Sequence, residues 1–236
     1  MKEYLINAKK YRLNIFDKLD PESAYLIGYL AGDGIFNQPT HKRKARLSVS
    51  SVDTYLIEMF QRLYCPDTAV NYKVTINKKY NIKTEKKTAT LAFSSKFSPL
   101  FNKYGVLGLK NDRRIVNIPR NLMRHYLRGF FDADGHISYG HRKDRDRLWA
   151  NIGFTHSSFE FLSSIQRIME EELNIATTVR PRRDEACYDL KFGNMARVAA
   201  FVEWLYAEPS VLFNHRKQRK ASMFLNEYKA ALQPAA

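Results

Sequence analysis

The first clear pattern along the chain is helical. Asp20-Pro21-Glu22 places an aspartate where a helix cap belongs and a proline at the first helical position. It leads into Ser23-Ala24-Tyr25-Leu26-Ile27-Gly28-Tyr29-Leu30-Ala31-Gly32-Asp33-Gly34. Residues 46–50 then alternate as a half-buried strand does, with Leu47 and Val49 inward, and residues 53–64 read as a helix that turns Leu56, Phe60 and Leu63 toward a core. Residues 70–77 carry Val70, Tyr72, Val74 and Ile76 on one strand face, and residues 88–93 carry Ala89, Leu91 and Phe93 on another. A short helix is expected over 96–104, before the turn Gly105-Val106-Leu107-Gly108. The first half therefore reads helix, strand, helix, strand, strand, helix.

The second half repeats that order. Pro119 opens a segment leading into Tyr126-Leu127-Arg128-Gly129-Phe130-Phe131-Asp132-Ala133-Asp134-Gly135. A strand is expected over 149–155, a helix over 158–173, strands over 177–183 and 187–192, and helices over 195–206 and 215–232. The helix motifs at 26–34 and 127–135 start 101 residues apart, and Thr90-Leu91-Ala92-Phe93-Ser94 matches Asp189-Leu190-Lys191-Phe192-Gly193 in pattern at an offset of 99. Isolated strands match easily by chance, whereas a whole element order with a shared signature does not.

Within the paired motif, Gly28 and Gly32 are four apart, and Gly129 and Ala133 share that spacing. Small residues four apart line one helix face and let two backbones approach closely. Both helices finish in Asp-Gly, at Asp33-Gly34 and Asp134-Gly135. Glycine is a natural helix terminator, but an aspartate at this end opposes the helix dipole. Two such helices packed in parallel also bring Asp33 and Asp134 together, where they repel. A divalent cation offsets both penalties, and Mg2+, with Mn2+ as a substitute, is the hard, oxygen-seeking choice. The plain alternative is a pair of solvent-exposed Asp-Gly turns that only end helices.

Charge gives this site a context. The 236 residues hold 39 lysines and arginines against 24 acids, a formal charge of +15 that favours a polyanionic partner through attraction and counterion release. No window is long and apolar enough to span a bilayer, and the opening MKEYLINAKKYRLNIF lacks a secretory signal's apolar stretch, so the expectation is an intracellular protein without a membrane partner. Cys65 and Cys187 sit in unrelated contexts and read as ordinary thiols. No cysteine or histidine cluster suggests zinc, and His136 and His156 read as local polar or DNA-facing residues. Trp149 and Trp204 read first as structural aromatics.

The segments LIGYLAGDG at 26–34 and LRGFFDADG at 127–135 resemble the two motifs of single-chain LAGLIDADG homing endonucleases, over about residues 23–221. The first motif has Ala31 where the family name has its earlier aspartate, a departure of little weight because the family's metal-binding acid is the later one, here Asp33 and Asp134. The resemblance implies an α+β fold, a pseudo-two-fold pair of αββαββα-like halves with central motif helices and antiparallel DNA-binding sheets. We place the halves at 1–113, with a short N-terminal extension, and 114–236. It also implies metal ligation by the carbonyls of Gly32 and Ala133, and cutting of both strands of a long target to leave short 3′ overhangs. Gly105-Val106-Leu107-Gly108-Leu109-Lys110 and Asn214-His215-Arg216-Lys217 resemble the family's two basic segments. We expect Lys110 and Lys217 to be the basic partners of the aspartates, with Arg113, Arg114, Arg216 and Lys220 as substitutes; phosphate binding on a solvated face is the plain alternative.

Outward strand phases then supply the DNA readers: Arg46, Ser48, Ser50, Lys73, Thr75 and Asn77 in the first half, and Asn151, Arg180, Arg182 and Lys191 in the second. A solvated outer face gives the same alternation. The loops at 37–44 and 139–147, carrying HKRK and GHRKDRDR, suit phosphate contact or an ordinary charged surface. The expected activity is a metal-dependent double-strand break in an asymmetric duplex, made by a monomer. An intron RNA splicing cofactor, with intron RNA as partner, or a non-cleaving DNA-binding regulator on the same scaffold is the alternative. The family also occurs within inteins; an initial methionine and the absence of a terminal His-Asn junction favour a free-standing enzyme.

Overall fold

The structure, a computed structural model, describes residues 18–38, 41, 46–79, 82–142, 147–183, 186–208 and 212–232, with the side chains of 77–79 and 82–84 outside that description. Asp20 caps helix α1 (Pro21–Asp33) in a reciprocal box: Ser23 N donates to Asp20 Oδ1 at 2.7 Å and Asp20 N donates to Ser23 Oγ at 2.9 Å. Then follow β1 (Gly34–Asn37), β2 (Arg46–Ser51), α2 (Thr54–Tyr64), β3 (Asn71–Lys79), β4 (Ile82–Ala92) and α3 (Ser98–Lys103). The second half repeats the order with α4 (Met123–Asp134), β5 (Gly135–Arg142), β6 (Arg147–His156), α5 (Phe159–Leu173), β7 (Val179–Pro181), β8 (Tyr188–Phe192) and α6 (Met195–Tyr206), and α7 (His215–Leu232) closes the chain. The fold is thus the α+β, two-half architecture expected.

Each half builds one antiparallel four-stranded sheet, ordered β1-β2-β4-β3 and β5-β6-β8-β7. Leu47, Val49, Ala89 and Leu91 cover one side of the first sheet, and Ile137, Ile152, Phe154 and Leu190 cover one side of the second, in a core continuous with the helices. α1 and α4 lie at the centre, and residues Ser23 to Gly32 and His125 to Asp132 are buried on every side.

Two strands were not expected from the pattern. β1 and β5 start at the glycine that ends each motif helix, with no intervening turn. The pattern assigns no element to 34–36 or 135–138, and part of each loop reading, at 37 and at 139–142, is strand. β3 differs in its burial: on this edge strand Tyr72, Val74 and Ile76 are exposed, and the Tyr72 hydroxyl donates to Glu58 of α2 at 2.8 Å.

Candidate metal and nucleic-acid site

The two motif helices touch backbone to backbone. A Cβ built on Gly28 would stand 1.9 Å from Tyr126 O, and one on Gly129 would stand 2.0 Å from Tyr25 O. At the far end a Cβ on Gly32 would meet Ala133 Cβ at 2.6 Å and Asp134 Oδ2 at 3.3 Å. The helices are therefore parallel, in the close packing that the small-residue spacing predicts, and their C-terminal acids share one place. Gly34 and Gly135 have ordinary negative φ values, −65° and −78°. The glycines are required for another reason: a Cβ would come within 2.3 Å of Leu30 O in one copy and of Phe131 Cδ2 in the other.

Charge accumulates here as the sequence requires. Burial, then the neighbouring Asp134 charge, raises the Asp33 carboxyl to about 6. The Lys110 ammonium donates to Asp134 Oδ2 at 3.3 Å. Lys217 lies inside the protein instead, its ammonium donating to Phe131 O at 2.7 Å, Asp132 O at 2.8 Å, Ala133 O at 3.3 Å and Gly135 O at 2.6 Å. It satisfies the carbonyls that end α4 and places a cation against the negative end of the dipole. Burial pulls its pKa down to about 8.

The counterpart of Lys217 in the first half is Arg113. Its guanidinium donates to Leu30 O at 3.1 Å, Ala31 O at 2.6 Å and Gly32 O at 3.4 Å, and to Gly34 O. The structure thus pairs Arg113 with Lys217 as helix-end plugs and places Lys110 on the carboxylate of Asp134. Each plug makes its weakest bond to the carbonyl nearest the acid, at Gly32 and Ala133, so these oxygens retain capacity to ligate. With two carboxylates they form an all-oxygen set suited to a hard divalent cation. Among the described residues no cluster of three or more histidine, cysteine or acidic side chains offers a softer site.

Asp132 is also part of this end of α4. It is buried, accepts from Tyr25 Oη at 2.8 Å, Tyr206 Oη at 3.2 Å and Asn214 N at 2.6 Å, and has its pKa raised by burial. Ala31 stands at the matching position, so the departure from the motif has a structural consequence although it spares Asp33 and Asp134. His156 is buried rather than DNA-facing. Its Nδ1 accepts from Ser158 N at 3.0 Å, its ring stacks on Phe161, and burial drops its pKa to about 4.

The outer sheet faces meet these helix ends through β1 and β5. Cross-strand register puts Ser48 beside Ile35 and Ala92, Ser50 beside Thr90, and Asn71, Lys73 and Thr75 along the same face. Arg46 stands on it beside Asn37; the Asn77 side chain lies outside the described residues. In the second half Asn151 pairs with Ser138, Lys191 with Gly153, and Arg180 with Asp189. Arg182 extends the phase of Arg180 beyond β7. Asp189, overlooked in the sequence, accepts from Thr155 Oγ1 and Lys191 Nζ at 2.6 Å each and sits among these cations. Trp149 departs from its structural reading: it lies on the outer face opposite Gly140. Trp204 packs against the core as expected, with Arg124 over its ring. No described helix is long and apolar enough to cross a membrane, and Cys65 and Cys187 form no disulfide.

Residues 121–205 match the model of the LAGLIDADG-like domain. The solved structure of I-SmaMI bound to uncleaved DNA target in the presence of calcium ions superposes with a TM-score of 0.56 at 14% identity, covering 92% of this chain and 95% of that one. I-GzeII in complex with DNA target gives 0.59 at 12%, covering 92% and 94%. Full-length DUF199/WhiA from Thermatoga maritima gives 0.53 at 14%, covering 93% and 63%. In sequence, the ATP-dependent DNA helicase Hel308 of Methanocaldococcus jannaschii is 25% identical over 92% of this chain, which spans 18% of the length of that protein.

Proposed function

We propose that this chain, which has the LAGLIDADG homing endonuclease fold, is a site-specific endonuclease making a metal-dependent double-strand break in a long, asymmetric duplex DNA target. The observation that carries the reading is the pairing of Asp33 and Asp134 at the touching ends of two parallel helices, each running directly into the first strand of a basic-faced sheet. Asp33, Asp134 and the carbonyls of Gly32 and Ala133 would hold Mg2+, or Mn2+ in its place. Bound there, the ion supplies Lewis-acid stabilisation and an activated water for phosphodiester hydrolysis.

The chain's own groups do the remaining work. Arg113 and Lys217 neutralise the helix ends from behind, which keeps the acids from repelling an incoming phosphate. Lys110, on the open side of Asp134, adds positive charge where the scissile phosphate lies. Arg46, Lys73, Arg180, Arg182 and Lys191 draw in the duplex, while Ser48, Ser50, Thr75, Asn77 and Asn151 supply short donors and acceptors. The faces differ between halves, Ile35 standing where His136 stands, and an asymmetric target follows. We divide the halves at 113/114: Arg113 returns to α1, while Arg114 pairs with Glu160 of the second half. Both acids reside in one chain, so a monomer suffices.

Cleavage of a randomised duplex library, read by sequencing with and without Mg2+, tests this. Wild type should yield one metal-dependent double-strand product class, and Asp33→Asn or Asp134→Asn should lose at least about 10²-fold in cutting while retaining binding. Undiminished cutting by both variants would reject the site. The similarity to DUF199/WhiA supports a second reading, a non-cleaving DNA-binding regulator. Specific binding without any cut would establish it, and splicing of a cognate intron RNA would point to a maturase.

A further inference from the structure

The segment before α7 joins the two halves around Lys217. Asn214 begins it: its backbone N donates to Asp132 Oδ2 at 2.6 Å, and its Nδ2 donates to Asp53 Oδ2 of the first half at 2.6 Å. Its Oδ1 in turn accepts from Lys217 N at 3.2 Å, capping the helix that carries the plug. Tyr55, also from the first half, donates through its hydroxyl to Phe213 O at 3.0 Å and stacks on His215. The first plug is held differently. Arg113 O accepts from Ser158 Oγ at 3.4 Å, and no carboxylate stands at Ala31 to match Asp132.

We propose that Asp132 is a positioning residue: together with Asp53 it grips Asn214 and thereby fixes the Lys217 ammonium at the end of α4, so that the α4 end of the site, unlike the α1 end held by Arg113, depends on this clasp. The strand-selective part rests on the endonuclease reading above; the positioning part does not. Asp132 is fully enclosed, so replacing it by asparagine keeps its volume while removing the charge and one acceptor oxygen. Asp53→Ala approaches the clasp from the other half, at a partly exposed residue whose loss leaves the core intact.

Pulse acetylation of lysines with acetic anhydride, read by mass spectrometry on the full chain, reports the position of Lys217 without DNA. Wild-type Lys217 should label far more slowly than the exposed Lys220 on the same helix. Asp132→Asn and Asp53→Ala should each narrow that gap by about tenfold or more, the scale on which groups that orient a site's ligands act. An unchanged gap in both variants overturns the proposal. With duplex labelled on each strand separately, Asp132→Asn and Lys217→Met should slow the same strand's cut by about ten- to a hundredfold and spare the other, so that nicked product accumulates. Equal slowing of both strands by Asp132→Asn overturns the strand-selective role. A narrowed gap in a protein whose wild type cuts nothing upholds the clasp and retires the endonuclease reading.

Discussion

Two titrating groups near the helix ends oppose each other. Asp33, raised from 3.8 to about 6, stabilises the fold most fully below its unfolded value, and that contribution is lost as pH rises through about 6. His156, lowered from 6.5 to about 4, contributes stability above 6.5 that is lost as pH falls through about 4. The wild-type curve sums the two, so the informative quantity is the difference between wild type and Asp33→Asn. In EDTA, urea unfolding should show that difference moving against the wild type by up to about 3 kcal/mol between pH 4 and 6.5. Saturating Mg2+ should flatten it. Parallel curves in EDTA would mean that Asp33 ionises without cost. At this scale the nearness of Asp33, Asp134 and Lys217 to the helix ends was legible, because chain position and charge mark them, whereas the enclosure of Lys217 among backbone carbonyls was not. Arg113 was named only as a substitute, because the Gly-Leu-Lys pattern favours Lys110, three residues earlier. A turn at Lys110–Asp112 leaves Lys110 at the open side and sends Arg113 inward. Asp132 was overlooked because its role depends on Tyr25, Tyr206 and Asn214, which only the fold brings to it.

The helix pair makes a sharp prediction about glycine. On an exposed helix surface Gly→Ala stabilises by about 1 kcal/mol. At Gly28 or Gly129 the new Cβ meets a carbonyl oxygen at 1.9 or 2.0 Å, and neither partner is a flexible side chain. Each substitution should instead destabilise by about 3 kcal/mol or more, at or beyond the upper range of overpacking. Differential scanning calorimetry reads the sign directly, and a raised Tm in either variant would refute the backbone contact. The helices were legible from periodicity and caps; 195–206 and 215–232 coincide with the observed α6 and α7. The strands β1 and β5 were not, because runs of four and eight residues without a regular apolar alternation acquire strand geometry only by pairing with β2 and β6. The exposed Val74 and Ile76 mark the same limit: alternation reports a strand but not whether anything covers its face.

For the molecule as a whole, the charge of +15 makes ionic strength a quantitative probe. Log Kobs for the cognate duplex should fall linearly with log salt concentration, with a slope of about −0.9 per phosphate neutralised. Replacing Arg46, Lys73 or Arg182 by alanine should reduce the slope by about 1 if the side chain holds a phosphate. If it reads a base, preference should relax at one target position instead. No change in slope or preference for any of the three would remove the sheet faces from the interface. Which of them serves which purpose was beyond the sequence, since the alternation that turns Arg46 outward is indifferent to what lies opposite.

The contacts of Gly28 with Tyr126 and of Gly129 with Tyr25 are one contact made twice, with the roles of the two helices exchanged. That reciprocity is the mark of an isologous interface, the kind that two identical subunits form about a dyad. A single polypeptide here reproduces the seam of a homodimer and, having done so, is released from the dimer's obligation to keep both sides alike. The seam must stay self-complementary while everything outside it is free to diverge, and the different plugs, Arg113 and Lys217, are what that freedom has already produced.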